Sequence, residues 1–185
     1  MEERIKTITL SLTESCNLNC VYCYENNKST KNMSFDDAKR IIDIELENPE
    51  GYDKLYFELF GGEPFLQFPV MKQIVEYLRD KLEKVPFRIL ITTNGTLVHG
   101  EVQKWLLENS DIISVSLSCD GTPQMHNRNR SNSFELIDLD FFRNYSSSPR
   151  VKMTVSLESL ESLSEGIIFL HQQGFAIDCN LAFGI

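Results

Sequence analysis

The stretch Ile5–Tyr24, IKTITLSLTESCNLNCVYCY, joins a short apolar strand to a loop that carries three cysteines. Residues 5–12 are predicted to form the strand, because Ile, Leu and Thr recur over a run that is too short for a typical helix. The loop places Cys16, Cys20 and Cys23 within eight residues, with the spacing Cys-x3-Cys-x2-Cys. In a cytosolic protein, clustered cysteines of this kind indicate metal binding or redox chemistry at the end of a strand.

The order of strand, loop and helix recurs along the rest of the chain. Further strands are predicted from short runs rich in Ile, Val, Leu and Phe, at residues 54–60, 87–92, 112–118, 151–157 and 177–183. Apolar residues at helical spacing predict five helices between these strands. They begin at Ser34 as N-cap, cover residues 68–84 and 100–109, include Phe134, Ile137 and Phe141, and run from Leu160 towards a stop at Gly174.

This alternation predicts an α/β fold with a parallel sheet and right-handed crossovers. A complete eight-stranded barrel needs about 250 residues, whereas this chain supplies six strands and five helices in 185 residues. We therefore predict a partial (β/α)6 TIM-like barrel that forms one domain over residues 1–185. Because the sequence stops directly after the sixth strand, the expected domain is truncated there and incomplete at its C-terminus.

Several predicted strands alternate apolar with polar residues instead of being apolar throughout. Parallel strands that are buried on both faces have nearly continuous apolar sequences, so alternation predicts one face packed on helices and one lining a polar cavity. An antiparallel sheet with one wet face would give the same pattern, but the intervening helices argue against it. The alternating polar residues are Ser114, Ser116, Ser118, Lys152, Thr154, Ser156, Asp178 and Asn180.

Composition and charge limit the classes of function. The net charge of −9 disfavours a nucleic-acid partner, because phosphate backbones require clustered Lys and Arg. No apolar run is long enough to span a membrane, and residues 1–4 lack the apolar core of a secretory signal, so we expect a cytoplasmic protein without membrane contact. The two isolated cysteines, Cys119 and Cys179, are expected to be buried as small apolar residues.

The three clustered cysteines can be read in more than one way. A structural zinc site normally takes four protein ligands, so zinc would need a distant fourth residue here. Three thiolates on a cluster of four irons leave one iron free for another ligand, which favours an iron–sulfur site. Thiols that are reactive but bind no metal are the remaining alternative.

The cysteine segment resembles the Cys-x3-Cys-x-aromatic-Cys signature of the radical SAM superfamily. Phe60–Pro64 (FGGEP) resembles the family's GGEP motif, and Thr93–Leu97 (TNGTL) ends the third strand as in related enzymes. Ser118–Gly121 (SCDG), followed by His126 and Arg130, resembles the peptide- and protein-modifying branch. That branch includes sulfatase-maturating enzymes and maturases of ribosomal peptides. Its C-terminal domain with auxiliary clusters, the SPASM type, is not expected within these residues. The glycine-rich stretch that often follows the fourth-strand segment is weak here, since residues 130–134 contain no glycine.

The resemblance implies a cofactor pair and a reaction. Cys16, Cys20 and Cys23 would ligate three irons of a 4Fe–4S cluster, and S-adenosylmethionine would chelate the fourth. An external one-electron reductant would reduce the cluster, and S-adenosylmethionine would be cleaved to a 5′-deoxyadenosyl radical. The radical would abstract hydrogen from a peptide or protein substrate. A radical SAM enzyme acting on a small molecule, and a zinc-stabilised binding module without catalysis, are the alternatives.

The resemblance also implies roles for cofactor-binding residues, while no protein residue is assigned as catalytic. Tyr22 would lie against the adenine, and Glu63 would accept from the ammonium of the methionine moiety. Ser118 would lie near the ribose, and Arg130 would meet the cofactor's carboxylate. The remaining predicted contacts come from the backbone at Gly61 and Gly62 and from Asn94, whose pairing with Gly95 is also an ordinary turn. His126 is expected to be a solvated loop residue.

Overall fold

Six parallel strands form a single sheet, and their spatial order is their order in the chain. A computed structural model describes residues 3–25, 28–47, 52–82 and 85–182. The strands are β1 (Ile5–Thr13), β2 (Lys54–Gly61), β3 (Phe87–Thr93), β4 (Ile113–Ser118), β5 (Arg150–Val155) and β6 (Ala176–Leu181). This topology confirms the predicted α/β class and the partial TIM-like barrel. Residue 183, the last of the predicted sixth strand, lies outside the described residues.

Helices connect the strands, as right-handed parallel topology requires. They are α1 (Phe35–Leu46), α2 (Phe68–Lys81), α3 (Glu101–Glu108), α4 (Pro123–Asn129), α5 (Leu139–Tyr145) and α6 (Leu163–Gln172). Short 3-10 turns lie at Pro64–Gln67, Phe134–Leu136 and Leu157–Ser162. Within the described residues, no helix combines the length and the apolar character that crossing a membrane would require.

Side-chain caps determine where several helices begin. The Ser34 hydroxyl accepts a hydrogen bond from the Asp37 amide at 3.1 Å, which confirms the predicted start of α1. Asp138 caps α5 in the same way through the Phe141 amide at 3.0 Å. This cap corrects the predicted fourth helix, because the backbone at Asp138 is not helical and separates Phe134–Leu136 from α5.

Helix α4 was not predicted, because its sequence PQMHNRN carries no apolar stripe. Thr122 caps it, since the threonine hydroxyl accepts from the Met125 amide at 3.4 Å. Pro123 occupies the first turn, where a missing amide hydrogen costs nothing. The helix leads from the end of β4 to Arg130, so it determines where that arginine lies.

The hydrophobic core lies between the sheet and its helices. The predicted alternation is confirmed in β5, where Val151, Met153 and Val155 are buried while Lys152 and Thr154 are partly exposed. The largest side chains that are almost fully buried include Phe57, Phe175, Leu10, Leu59, Ile42, Ile74 and Leu78. The polar face of β5 lines a cavity, as predicted, whereas β6 does not show the predicted alternation, since Cys179 and Leu181 are exposed.

The two isolated cysteines have different environments. Cys119 is fully buried, as expected. Cys179 is exposed, so the prediction that it is buried was wrong. It lies on β6, which pairs with β5 on one side and is last in the strand order of the sheet. An edge strand buries fewer of its side chains than a central one.

Candidate active site

A cavity of about 470 Å³ opens at the carboxyl ends of the strands. Segments that follow β1, β2, β3 and β4 reach its wall, because parallel strands present their carboxyl ends at the same edge. All ten residues predicted to bind a cofactor or metal line this cavity: Cys16, Cys20, Tyr22, Cys23, Gly61, Gly62, Glu63, Asn94, Ser118 and Arg130. Residues that are up to 114 positions apart in sequence are therefore brought together.

The three cysteines of the loop after β1 are free and half-buried. Burial raises the pKa of the Cys16 and Cys20 thiols, and the charges of Lys28 and Arg130 respectively oppose that rise. Across the described ranges, no three His, Cys, Asp or Glu side chains are close enough to hold a single metal ion. The loop offers three sulfur ligands to a shared cavity.

Two glycines at the end of β2, Gly61 and Gly62, let the cysteine loop approach closely. The Gly62 amide donates to the Thr13 carbonyl at 2.9 Å, and the Glu63 amide donates to the Ser15 carbonyl at 2.9 Å. A Cβ on Gly62 would lie 2.3 Å from the Ser15 carbonyl oxygen, and one on Gly61 would lie 2.5 Å from that of Thr13. The backbone of the cysteine loop therefore occupies the space that side chains at these two positions would fill.

Glu63 is a fully buried carboxylate at the base of the cavity. It accepts hydrogen bonds from the Phe65 amide at 3.2 Å, the Thr93 hydroxyl at 2.8 Å and the Asn94 amide at 2.8 Å. Burial raises its pKa to about 7, although all three hydrogen bonds favour the charged form and act in the opposite direction. The side chain is held rigidly, and its acceptor capacity of about four hydrogen bonds is not exhausted.

Asn94 links the loop after β3 to the cysteine loop. Its side-chain amide donates to Asn17 Oδ1 at 2.8 Å, and Asn17 in turn donates to the Thr96 hydroxyl at 2.7 Å. The Asn94 side-chain oxygen also accepts from the Thr96 amide at 3.0 Å, which forms the predicted turn. Asn94 thus both shapes the turn and fixes the first half of the cysteine loop.

The second half of the cysteine loop is fixed by a buried acid. The hydroxyl of Tyr22 hydrogen-bonds to Asp120, and Arg130 Nε lies 3.0 Å from the same carboxylate. The Arg130 guanidinium also lies over the Tyr22 ring, 5.3 Å from its centroid. Tyr22 and Arg130 line the cavity, but both have protein partners that orient them.

His126 is buried in α4, so the expectation of a solvated loop histidine was wrong. Its Nε2 atom lies 3.0 Å from the Ser133 hydroxyl, and its ring packs edge-on against Phe134. Burial lowers the pKa of His126 to about 4. The histidine is therefore neutral at physiological pH and packs against Phe134 in the interior.

Sequence reasoning missed several residues of the site. Asp120 lies inside the fourth-strand motif Ser118–Gly121, but no role of its own was predicted for it. Asn17 sits between two of the clustered cysteines and gave no signal beyond that position. Lys28, Lys152 and Thr154 also line the cavity. Lys152 and Thr154 were predicted to lie on the polar face of β5, but neither residue was assigned a role in the site.

Curated relatives match about two thirds of the chain. The protein MJ0907 of Methanocaldococcus jannaschii, named as uncharacterised, is 39% identical over 121 residues, which are 65% of this chain and 41% of that protein. A probable GTP 3′,8-cyclase of Methanococcus maripaludis is 35% identical over 124 residues, covering 63% of this chain and 39% of the cyclase. The chain thus spans about two fifths of the length of these relatives.

Solved structures share the fold over almost the whole chain. The enzyme anSMEcpe, solved with bound AdoMet (S-adenosylmethionine) and a peptide, superposes with a TM-score of 0.81 at 20% identity, covering 97% of this chain and 52% of the other. SuiB of Streptococcus suis, bound to its precursor peptide SuiA, gives a TM-score of 0.70 at 18% identity, covering 97% and 40%. At these identities the likeness is one of fold.

The family comparison accounts for the cavity as well as for the fold. The radical SAM superfamily model matches residues 10–139, which contain the cysteine loop and the cavity-lining segments after β2, β3 and β4. A zinc-stabilised binding module does not explain a match of this extent. The chain therefore belongs to the radical SAM superfamily, whose members use a 4Fe–4S cluster and S-adenosylmethionine.

Proposed function

We propose that this chain is the core of a radical SAM enzyme that acts on a peptide or protein substrate. In this proposal Cys16, Cys20 and Cys23 ligate the 4Fe–4S cluster, and S-adenosylmethionine occupies the cavity beside it. The observation that carries the proposal is the convergence of four sequence-distant segments on one cavity at the carboxyl ends of the strands. An external reductant in the cytoplasm would supply the electron. A cytoplasmic location is consistent with free, clustered cysteines, because that compartment keeps thiols reduced.

The donor set and the space fit these cofactors. Three half-buried thiols face a cavity of about 470 Å³, within the range of about 300–1,000 Å³ that is usual for ligand pockets. The raised pKa of two of these thiols means that ligation to iron would release protons, since metals bind the thiolate. When bound and reduced, the cluster supplies the electron that cleaves S-adenosylmethionine.

The chain's own residues would bind and orient the cofactor. Glu63 is held by three donors and can accept one more hydrogen bond, from the ammonium of the methionine moiety. Ser118 would contact the ribose from the end of β4, and Tyr22 would present its ring to the adenine. Arg130 would meet the methionine carboxylate while remaining paired with Asp120.

The substrate class is supported by sequence and by fold. Ser118–Gly121 and Arg130 resemble the fourth-strand segment of the peptide- and protein-modifying branch. SuiB and anSMEcpe, whose structures hold peptides, share the fold with TM-scores of 0.70 and 0.81. A small-molecule substrate is the second candidate, because probable GTP 3′,8-cyclases are 35–36% identical to this chain over 124 residues.

Anaerobic reconstitution with iron and sulfide tests the proposed cofactors. We expect about four irons and four sulfides per chain, and formation of 5′-deoxyadenosine when dithionite and S-adenosylmethionine are added. Cys16→Ala, Cys20→Ala and Cys23→Ala should each lose the cluster and the cleavage. Cys179→Ala is the matched control, because that cysteine is exposed on β6 and should keep both. Full clusters in all three loop variants would refute the proposal.

Product analysis tests the substrate class. The reduced enzyme would be incubated with S-adenosylmethionine and either precursor peptides encoded beside its gene or GTP. Mass loss or a new cross-link in a peptide supports the proposal, and a modified nucleotide supports the second candidate instead.

A further inference from the structure

One fully buried carboxylate joins three parts of the chain, one of which is the cysteine loop. Asp120 accepts hydrogen bonds from the Tyr22 hydroxyl, from Arg130 Nη2 at 3.1 Å, from Asn129 Nδ2 at 3.3 Å and from the Thr154 amide at 3.1 Å. These partners come from the cysteine loop, from the end of α4 and from β5. The carboxylate therefore accepts four hydrogen bonds, which is about its full acceptor capacity.

The ion pair within this group is buried on both sides. The side chains of Asp120 and Arg130 are 0% and 8% exposed, and Arg130 Nε lies 3.0 Å from the Asp120 oxygen. Desolvating two charges costs about as much as their attraction returns, so apolar residues of similar volume would often stabilise a fold equally well. A contribution to stability therefore does not explain why an ion pair is buried here. The location of the pair is more informative.

The pair lies directly against the cysteine loop. Tyr22 lies between Cys20 and Cys23 in the sequence, and the Arg130 guanidinium packs over its ring, 5.3 Å from the ring centroid. The Val21 amide adds a hydrogen bond to the Asn129 carbonyl at 3.0 Å. Cys20 and Arg130 line the same cavity, and both charged groups contact Tyr22, which lies two residues after Cys20. Both charges therefore lie beside the part of the loop that carries Cys20.

We infer that Asp120 is a positioning residue that holds Tyr22 and Arg130 against the cysteine loop and, together with Arg130, sets the charge balance around Cys20. This inference rests on the proposed function, in which Cys20 is a cluster ligand. Its consequence is a defined reduction potential, because charges and hydrogen bonds around the sulfurs determine how easily a cluster accepts an electron.

The two charges should move the potential in opposite directions. Reduction adds negative charge to the cluster, so Asp120→Asn, which leaves Arg130 unopposed, should make reduction easier. Arg130→Gln leaves Asp120 unopposed and should make reduction harder. We expect each variant to change the reduction equilibrium by about tenfold, which is about 59 mV for a one-electron couple. The double variant, which removes both charges, should lie within about threefold of the wild type.

The experiment is a potentiometric titration of the reconstituted cluster, followed by its absorption and electron paramagnetic resonance signals. The matched control is the ion pair of Arg79 and Asp111, 2.6 Å apart and away from the cavity. Arg79→Gln and Asp111→Asn make the same chemical changes and should leave the potential unchanged. If Asp120→Asn does not fold, Arg130→Gln is compared with Arg130→Lys, which keeps the charge and should stay closer to the wild-type potential.

The outcomes separate this inference from the proposed function. A potential that rises in Asp120→Asn and falls in Arg130→Gln supports the inference, and the reverse pattern overturns it. Unchanged potentials, or shifts in the same direction in Asp120→Asn and Arg130→Gln, overturn it, because a merely structural ion pair would change stability without this sign pattern. In the fallback comparison, equal potentials for the glutamine and lysine variants overturn it. Failure of the wild type to assemble a cluster refutes the proposed function instead.

Discussion

Replacing Gly62 by alanine should displace the cysteine loop. The added Cβ would lie 2.3 Å from the Ser15 carbonyl oxygen, 2.7 Å from its carbon and 3.1 Å from the Cys16 Cβ. These atoms are backbone or lie close to it, so no flexible side chain can move aside. The loop that carries Cys16 must therefore shift away from β2.

The cost of this shift follows from packing and from lost hydrogen bonds. Overpacking of this kind costs about 1–3 kcal/mol. The bonds from the Gly62 and Glu63 amides to the loop, both 2.9 Å, would stretch or break, and each contributes about 1 kcal/mol. We expect the free energy of unfolding to fall by about 3 kcal/mol, which for a chain of this size lowers the melting midpoint by roughly 6–12 °C.

Gly100→Ala is the matched control, because it adds the same methyl group at a position where no atom is close enough to clash. Gly100 has φ +50 and open space around the position of a Cβ, so alanine there brings backbone strain without a clash. Chemical denaturation would measure stability, and iron and sulfide analysis would measure cluster content. Gly62→Ala should lose iron while Gly100→Ala keeps it. Wild-type iron content in Gly62→Ala would refute the proposed role of this glycine.

Three further predictions concern stability. Burial raises the pKa of Glu63 from 4.5 to about 7, so the metal-free protein should lose about 3 kcal/mol of stability as pH rises through this window. Urea unfolding at pH 5 and pH 7 measures this loss, and Glu63→Gln should abolish it. Burial lowers the pKa of His126 from 6.5 to about 4, so stability is lost as pH falls through that window, and His126→Gln should show a smaller loss between pH 6.5 and pH 4. Phe57→Ala should cost about 3–5 kcal/mol because Phe57 is fully buried, whereas Leu107→Ala, 55% exposed, should stay within about 0.5 kcal/mol of wild type; equal costs would contradict the core described above.

The sheet could be predicted from sequence because its strands depend on local patterns. Short apolar or alternating runs placed all six strands to within two residues of their described bounds. Helix α4 could not be predicted in this way, since burial of Met125 and His126 arises from packing on the rest of the fold and not from an apolar stripe. The fourth predicted helix failed because the cap at Asp138 was not recognised between two apolar segments.

The site was predictable where motifs mark the ends of strands, and less so where partners are distant. The cysteine spacing and the glycines at the end of β2 indicated the cavity wall directly. The partners of Asp120 could not be inferred, because Tyr22 lies 98 residues away and Thr154 lies 34 residues away. Their approach depends on how the sheet curves, which no local pattern encodes. The same holds for Gly62, whose missing side chain admits the cysteine loop.

The central claim is that three loop cysteines hold a 4Fe–4S cluster with one iron open to S-adenosylmethionine. Electron paramagnetic resonance of the dithionite-reduced protein, recorded before and after S-adenosylmethionine is added, tests this most directly. We predict a change in the g-values of the reduced cluster, because the cofactor becomes a ligand of the open iron. A spectrum that is identical with and without S-adenosylmethionine would contradict the claim.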